Sequence, residues 1–279
     1  MLKLLKEKPN KDKEILYLSV SKTKTFKDCK NKYKFQYIDK LPKLDKDYLI
    51  FGTFLHECLE LFHQHYLKGS LLSTAKVMEI SMREAHKSCK EKLTKVQFKE
   101  AYEILSVYLK QWSELVKNNE APKIISTEQQ FYLNIDDIVL LNGSIDLVKE
   151  DIDGVLHVAD YKTTKVKSIK YLEKDNFQLK TYAFIMFLIR PDINVVRCSY
   201  VMLKDNMRPI EFLFTKEDAM VLEKEFLEYA ALIKTEQAFN PNPTMLCEYC
   251  DFLENCPEGG NFLTKIGKSN PKTNKSGLV

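Results

Sequence analysis

The spacing of apolar residues changes from a helical to a strand period near residue 120, and that change limits what the chain can fold into. Upstream, Phe51, Phe54, Leu55, Cys58, Leu59, Phe62 and Tyr66 recur at steps of three and four, the mark of one buried helical stripe. Two further helices fit residues 73 to 90 and 95 to 118, the second led by the capping-box spacing Thr94-x-x-Gln97. Before them, Ser19 or Ser21 caps a helix running through Phe26, Tyr33 and Tyr37, and Gly52-Thr53 opens the striped helix. Downstream the period becomes two. Lys123 to Leu133, Ile138 to Lys149 and Val155 to Lys162 alternate and are β-branched, separated by the turn sequences Asn134-Ile-Asp-Asp137 and Asp151-Ile-Asp-Gly154. An apolar helix from about Asn176 to Ile189 follows, ended by Pro191, then strands near 194 to 203 and 209 to 214. Thr215-x-x-Asp218 caps a last long helix to about Gln237. This order predicts an α/β core with an N-terminal helical insertion or lobe.

Composition excludes several alternatives. The longest uncharged apolar run, Thr181 to Ile189, is far short of the roughly 18 residues a membrane span needs. The first nine residues break up with charge before a secretion core forms, so no signal peptide is expected. A cytoplasmic location with seven reduced cysteines follows. The formal charge of +4 is unevenly spread: residues 1 to 50 carry +7, residues 261 to 279 carry +4, and the stretch between carries −7. Basic ends around an acidic middle fit phosphate-binding flanks beside a cation site, and fit solvated lysines equally well. Only Arg83, Arg190, Arg197 and Arg208 are arginines, so a nucleic-acid partner would be held by its backbone.

Two strands end in charge where a buried strand should not. Asp146 sits inside the apolar run Asn142-Gly-Ser-Ile-Asp146-Leu-Val, and Asp160 and Lys162 lie two apart on the next strand, hence on one face. A hairpin can bring Asp146 alongside them. Two carboxylates suit a divalent Mg²⁺ or Mn²⁺, and a neighbouring lysine can orient a water. Taken alone, the same residues equally describe a surface salt bridge.

Gly-Ser-Ile-Asp146 followed by Asp160-Tyr161-Lys162-Thr163 resembles the core of the PD-(D/E)xK nuclease superfamily, in its RecB-like exonuclease branch. Gln178 and Tyr182, four apart on one helix face, resemble that branch's Gln-x-x-x-Tyr motif. Phe51-Gly52-Thr53-Phe-Leu-His56-Glu57 resembles its upstream histidine motif. The resemblance implies a restriction-endonuclease-like core, its mixed central sheet flanked by helices, and a metal held by His56, Asp146, Asp160 and the carbonyl of Tyr161. It gives Lys162 the attacking water, and Gln178 and Tyr182 a supporting role. Glu128 resembles a less constant acidic position on the first strand, while His63 and His65 read as surface histidines. The implied activity is a Mg²⁺- or Mn²⁺-dependent deoxyribonuclease, an exonuclease on single strands or DNA ends serving recombination, repair or replication. An RNA-acting or CRISPR-adaptation nuclease shares every motif. A non-catalytic nucleic-acid-binding module with a vestigial site is the reading from another class.

Cys247-Glu-Tyr-Cys250-Asp-Phe-Leu-Glu-Asn-Cys256-Pro257 gathers three thiols, more than chance supplies. Cys29 is the candidate fourth ligand, because the same branch includes the AddB nuclease and the CRISPR-associated RecB-like exonuclease, in which one N-terminal and three C-terminal cysteines bind a four-iron four-sulfur cluster. Zinc is the chemical rival. Cys58, Cys89 and Cys198 read as structural. The expected division is a flexible basic segment 1–18, a helical lobe 19–122 carrying Cys29 and His56, a nuclease core 123–237, a cysteine-cluster loop 238–263 and a disordered tail 264–279. The sequence has no Gly-x-x-x-x-Gly-Lys-Ser/Thr loop, so ATP-driven unwinding would come from a helicase or other recombination partner.

Overall fold

The computed structural model describes residues 2–10, 14–43, 47–89, 93–163, 172 and 174–268. Seven strands form one sheet: β1 (Leu2–Leu5), β2 (Leu16–Leu18), β3 (Lys123–Ile135), β4 (Val139–Glu150), β5 (Leu156–Lys162), β6 (Val195–Met202) and β7 (Arg208–Thr215). Their order is β1-β3-β4-β5-β6-β7, with β2 pairing β4 off this path. The β5/β6 pair is parallel and the β3/β4, β4/β5 and β6/β7 pairs are antiparallel, so the sheet is mixed.

One helical layer holds α3 (Asp47–Leu67), α4 (Thr74–Cys89) and α5 (Lys95–Lys117), whose apolar faces bury Phe54, Leu59, Phe62, Leu105 and Trp112 against Leu147, Ala159 and Tyr161. On the other face lie α1 (Val20–Asp28), α6 (Phe177–Ile189) and the helix pair α7 (Lys216–Met220) and α8 (Leu222–Thr235), which enclose Ile145, Val158 and Cys198. The α6 helix connects parallel strands β5 and β6, and being covered all round it is apolar all round. Among the described residues no helix is long and apolar enough to cross a membrane.

The meander and the capped helices fall where the periodicity places them; five local features differ. Residues 1–18 are not a loose segment throughout: β1 pairs antiparallel with the end of β3, and β2 pairs parallel with the start of β4, burying Leu18. These strands are four and three residues long, too short to show a period. The first helix breaks at Cys29, whose extended backbone (φ −160°, ψ 110°) ends α1 and caps the short α2 (Lys30–Tyr33), followed by a π-helical turn at Lys34–Ile38. The α3 helix begins at Asp47, so Gly52 lies inside it; a Cβ there would stand 3.2 Å from Thr163 Oγ1, and the glycine lets α3 close on the end of β5. The last long helix is interrupted at Val221. The cysteine segment carries 3₁₀ turns at Met245–Tyr249 and Leu253–Asn255, then α9 (Pro257–Lys265). The expected disordered tail therefore starts inside a helix, and residues 269–279 lie outside the described ones.

The partners of β4 position the site. On one side β4 pairs with β3 along its length; on the other it pairs with β2 over Val139–Leu141 and with β5 over Leu147–Glu150. Asp146 lies between those two partners. It faces Asp160, the next residue of β5 beyond the last paired one, Ala159. There the two strands part, while β6 still holds β5 through Lys162.

Candidate active site and cysteine cluster

Where β4 and β5 part, a helix from each layer reaches in. From α3, His56 Nδ1 comes within 3.3 Å of Asp146 Oδ2, and the same oxygen accepts a 2.8 Å hydrogen bond from the Tyr161 backbone N–H. From α6, Gln178 Nε2 donates to Asp160 Oδ1 at 2.9 Å. Lys162 Nζ lies 2.6 Å from Asp160 Oδ2 and donates to Gln178 Oε1 at 2.9 Å. Gln178 Nε2 also reaches the Tyr182 hydroxyl at 2.8 Å, and the Lys162 ammonium stands 5.0 Å above the Tyr200 ring. Asp160 and Lys162 share a face because strands alternate; Gln178 and Tyr182 share one because helices repeat near four.

Glu128 joins this group from β3. Its neighbours Thr127 and Gln129 pair with Leu147 and Ile145, which sets it across from Asp146. Its backbone is left-handed (φ 42°), a conformation that costs a non-glycine residue energy and is tolerated where the surroundings impose it. The carboxylate is fixed by the Ser144 hydroxyl, which donates to Oε2 at 2.7 Å. Ligand atoms of His56, Glu128 and Asp146 all lie within 4.8 Å of one another, a donor set of one imidazole and two carboxylates that a divalent ion can use.

Burial pushes the Asp160 carboxyl up to about 6, with Asp146 adding to the rise and Lys162 opposing it. For His56, burial alone would lower the pKa, but the carboxylates of Asp146, Asp160 and Glu128 prevail and raise it. A cation placed among these groups would relieve the repulsion they exert on one another.

The sequence-predicted residues His56, Asp146, Asp160, Tyr161, Lys162, Gln178 and Tyr182 thus meet in one network, and Glu128 belongs with them. His63 is not a surface residue. It is fully buried, and burial holds its pKa down to about 3, because it lies two helical turns from His56 on the inward side of α3. A second polar group has no motif to announce it: Asp151 Oδ2 lies 2.8 Å from His157 Nδ1, His157 Nε2 lies 2.8 Å from Ser199 Oγ, and Arg197 binds both Asp151 and Asp153. The order matches a Ser-His-Asp relay, but Ser199 is 1% exposed, and the group ties the β4–β5 turn to β6.

Cys29, Cys247, Cys250 and Cys256, all free thiols, line one cavity together with Phe35, Pro241 and Leu253. Each sulfur has an N–H turned toward it. Lys32 N donates to Cys29 at 3.5 Å and Thr244 N to Cys247 at 3.4 Å, while the backbones of Phe252 and Gly259 serve Cys250 and Cys256. Asn31 Nδ2 also approaches Cys256 Sγ, at 3.6 Å. A Cβ at Gly259 would lie 3.5 Å and 3.6 Å from the sulfurs of Cys256 and Cys247.

The family model for the PD-(D/E)XK nuclease superfamily matches residues 17–257. The chain belongs to that superfamily. The match runs from β2 past the last of the four cysteines, and it accounts for the restriction-endonuclease-like sheet. Curated relatives of this PD-(D/E)XK protein include one of the subunits of the ATP-dependent helicase/deoxyribonuclease of Streptococcus agalactiae, in its serotype Ia, V and III strains, 28% identical over 158 residues. That alignment covers 54% of this chain and 14% of the relatives' length. Among solved structures, a Eubacterium rectale protein provisionally named an exonuclease aligns with a TM-score of 0.48 and 14% identity, over 84% of this chain and 86% of its own.

Proposed function

We propose that this PD-(D/E)XK protein is a Mg²⁺- or Mn²⁺-dependent deoxyribonuclease, acting as an exonuclease on single strands or DNA ends in recombination, repair or replication. The observation that carries this reading is the junction of the His56–Glu128–Asp146 donor set with the buried Asp160–Lys162–Gln178 network at the parting of β4 and β5. His56, Asp146, Asp160 and the Tyr161 carbonyl would hold the metal, with Glu128 as an added ligand. When bound, such an ion polarises a phosphoryl oxygen and lowers the pKa of a coordinated water. Lys162, steered by Asp160 and Gln178, presents its ammonium protons to the attacking water and to charge developing on phosphate. Gln178 keeps that lysine from rotating away, and Tyr182 keeps Gln178 in place. A reaction of this kind needs no covalent intermediate. The helicase in the relatives' name supports a helicase partner that feeds the strand.

End-labelled single- and double-stranded DNA, incubated with Mn²⁺ or Mg²⁺, tests the reading. Wild type should degrade it, and Asp160→Ala and Lys162→Ala should each be slower by roughly a hundredfold or more. Equal degradation by all three would refute the site.

For the cysteine cavity we propose a four-iron four-sulfur cluster bound by Cys29, Cys247, Cys250 and Cys256. The donor set fits, and N–H groups turned toward the sulfurs are what a charged thiolate cluster needs. Protein purified without oxygen should be brown, and Cys250→Ser should be colourless; colourless wild type with stoichiometric zinc would overturn the assignment.

A further inference from the structure

Behind the carboxylates, on the face of β5 turned to the helical lobe, three buried polar side chains hydrogen-bond one another, while His63 Nδ1 is left without a partner. His63 Nε2 on α3 lies 2.6 Å from the Tyr108 hydroxyl on α5 and 3.2 Å from the Tyr161 hydroxyl on β5, and the two hydroxyls stand 3.5 Å apart. All three residues are at least nine-tenths buried, at 0%, 9% and 3% exposure, within a cluster otherwise built of Phe62, Trp112, Leu59 and Leu105. The unpartnered His63 Nδ1 costs energy that an apolar side chain of the same size would not. Stability therefore does not account for the triad, and its geometry suggests what does.

Tyr161 is the residue between Asp160 and Lys162. Its side chain points away from the cleft into the triad, while its backbone N–H holds Asp146 Oδ2 on the cleft side. Its ring also meets the His56 ring edge-on, with centroids 5.8 Å apart. One tyrosine thus touches two of the three residues in the imidazole–carboxylate donor set. His63 sits on the same helix as His56, seven residues on, so the triad couples α3 to β5 just beneath the site. We propose that His63, Tyr108 and the Tyr161 hydroxyl are positioning residues that lock the Tyr161 main chain and ring, and through them set His56 and Asp146 for divalent-metal binding. The inference rests on the metal-site reading above. The groups bordering the triad are apolar apart from His56, Trp112, Tyr66, the Lys149 charge that acts on His63, and the cleft carboxylates beyond the strand.

Direct Mn²⁺ binding to the full chain, measured by electron paramagnetic resonance of the free ion, tests this without relying on turnover. Tyr161→Phe and Tyr108→Phe remove only hydroxyls, and His63→Gln keeps a hydrogen-bonding group where His63→Leu does not. Tyr161→Phe and His63→Leu should weaken Mn²⁺ roughly 10- to 100-fold, the usual cost of losing a group that orients a ligand. His63→Gln should recover part of that loss, and metal-free DNA affinity should not change. Leu105→Ala loosens the same cluster without touching a hydroxyl and sets the effect of lost packing alone. Mn²⁺ affinity unchanged in Tyr161→Phe, or weakened equally by Leu105→Ala, overturns the proposal. Asp146→Asn separates the two levels: if it binds Mn²⁺ as wild type does, the metal-site reading falls and takes this proposal with it. If it loses Mn²⁺ while the hydroxyl variants keep it, only the positioning role fails.

Discussion

Asp151 shows how much a single carboxylate can carry away from the cleft. Burial by itself would raise its pKa, yet the His157 hydrogen bond, the Lys149 charge and the Arg197 guanidinium together hold it well below the ordinary carboxylate range. A folded pKa below the unfolded one means stability that is complete above the unfolded value and lost progressively as the pH falls from there through the folded value. Asp151→Asn should therefore destabilise the protein by about 2 kcal/mol at neutral pH. In urea unfolding the gap to wild type should close as the pH falls below about 4; a constant gap would contradict the network. Lys149 lies two residues from Asp151, but His157 and Arg197 reach it only through the β4–β5 turn and the β5/β6 pairing, which periodicity could not reveal. The cleft was legible at this scale because its pairs obey short rules: Asp160 and Lys162 are i, i+2 on a strand, and Gln178 and Tyr182 are i, i+4 on a helix. Glu128 is reached only through the family resemblance, and His63 is misread as a surface residue. One depends on a left-handed residue within a strand, the other on which side of α3 faces inward two turns beyond His56.

Among the elements, β3 and β4 contain the tightest steric requirement. Gly143 pairs with Phe131, and a Cβ at 143 would lie 2.7 Å from Phe131 Cζ and 2.9 Å from Cε1. Phe131 is buried and packs edge-on against Tyr182, with ring centroids 6.3 Å apart, so it has little room to yield. Gly143→Ala should cost about 1–3 kcal/mol by overpacking and should also lower nuclease activity, since the push passes through Tyr182 to Gln178. Gly143→Ala combined with Phe131→Leu should regain part of the thermal midpoint; no recovery would place the strain elsewhere. The strands of the meander could be read from alternation and from their turn residues. The edges of the sheet could not: β1 and β2 find partners more than a hundred residues away, and nothing local in Leu2–Leu5 or Leu16–Leu18 indicates them.

For the whole molecule, the uneven charge needs restating. Several lysines of the basic N-terminal region are paired within the fold: Lys24 with Asp175, Lys30 with Glu236 and Lys34 with Asp39. Lys268, near the other basic end, is paired with Glu248. Lys22 packs beside the rings of Tyr33 and Tyr37. Lys24 and Lys30, neutralised by acids from outside residues 1–50, bring the effective charge of that segment below its formal +7, which already counts Asp39. The logarithm of DNA affinity should fall with the logarithm of salt at a slope below about 5, the value seven charges would give at roughly 0.7 each on a single strand. A steeper slope, measured by fluorescence anisotropy, would show that these pairs open on binding.

The four cysteines that line one cavity also set a schedule. Cys29 leaves the ribosome about 220 residues ahead of the other three. At about 5–20 residues per second that is roughly ten to forty seconds with one thiol waiting for its partners. Strands β3 to β7, the α3–α5 layer and the cleft are all synthesised within that interval. A group that needs all four thiols can therefore find them together only after the elements that build the cleft have left the ribosome.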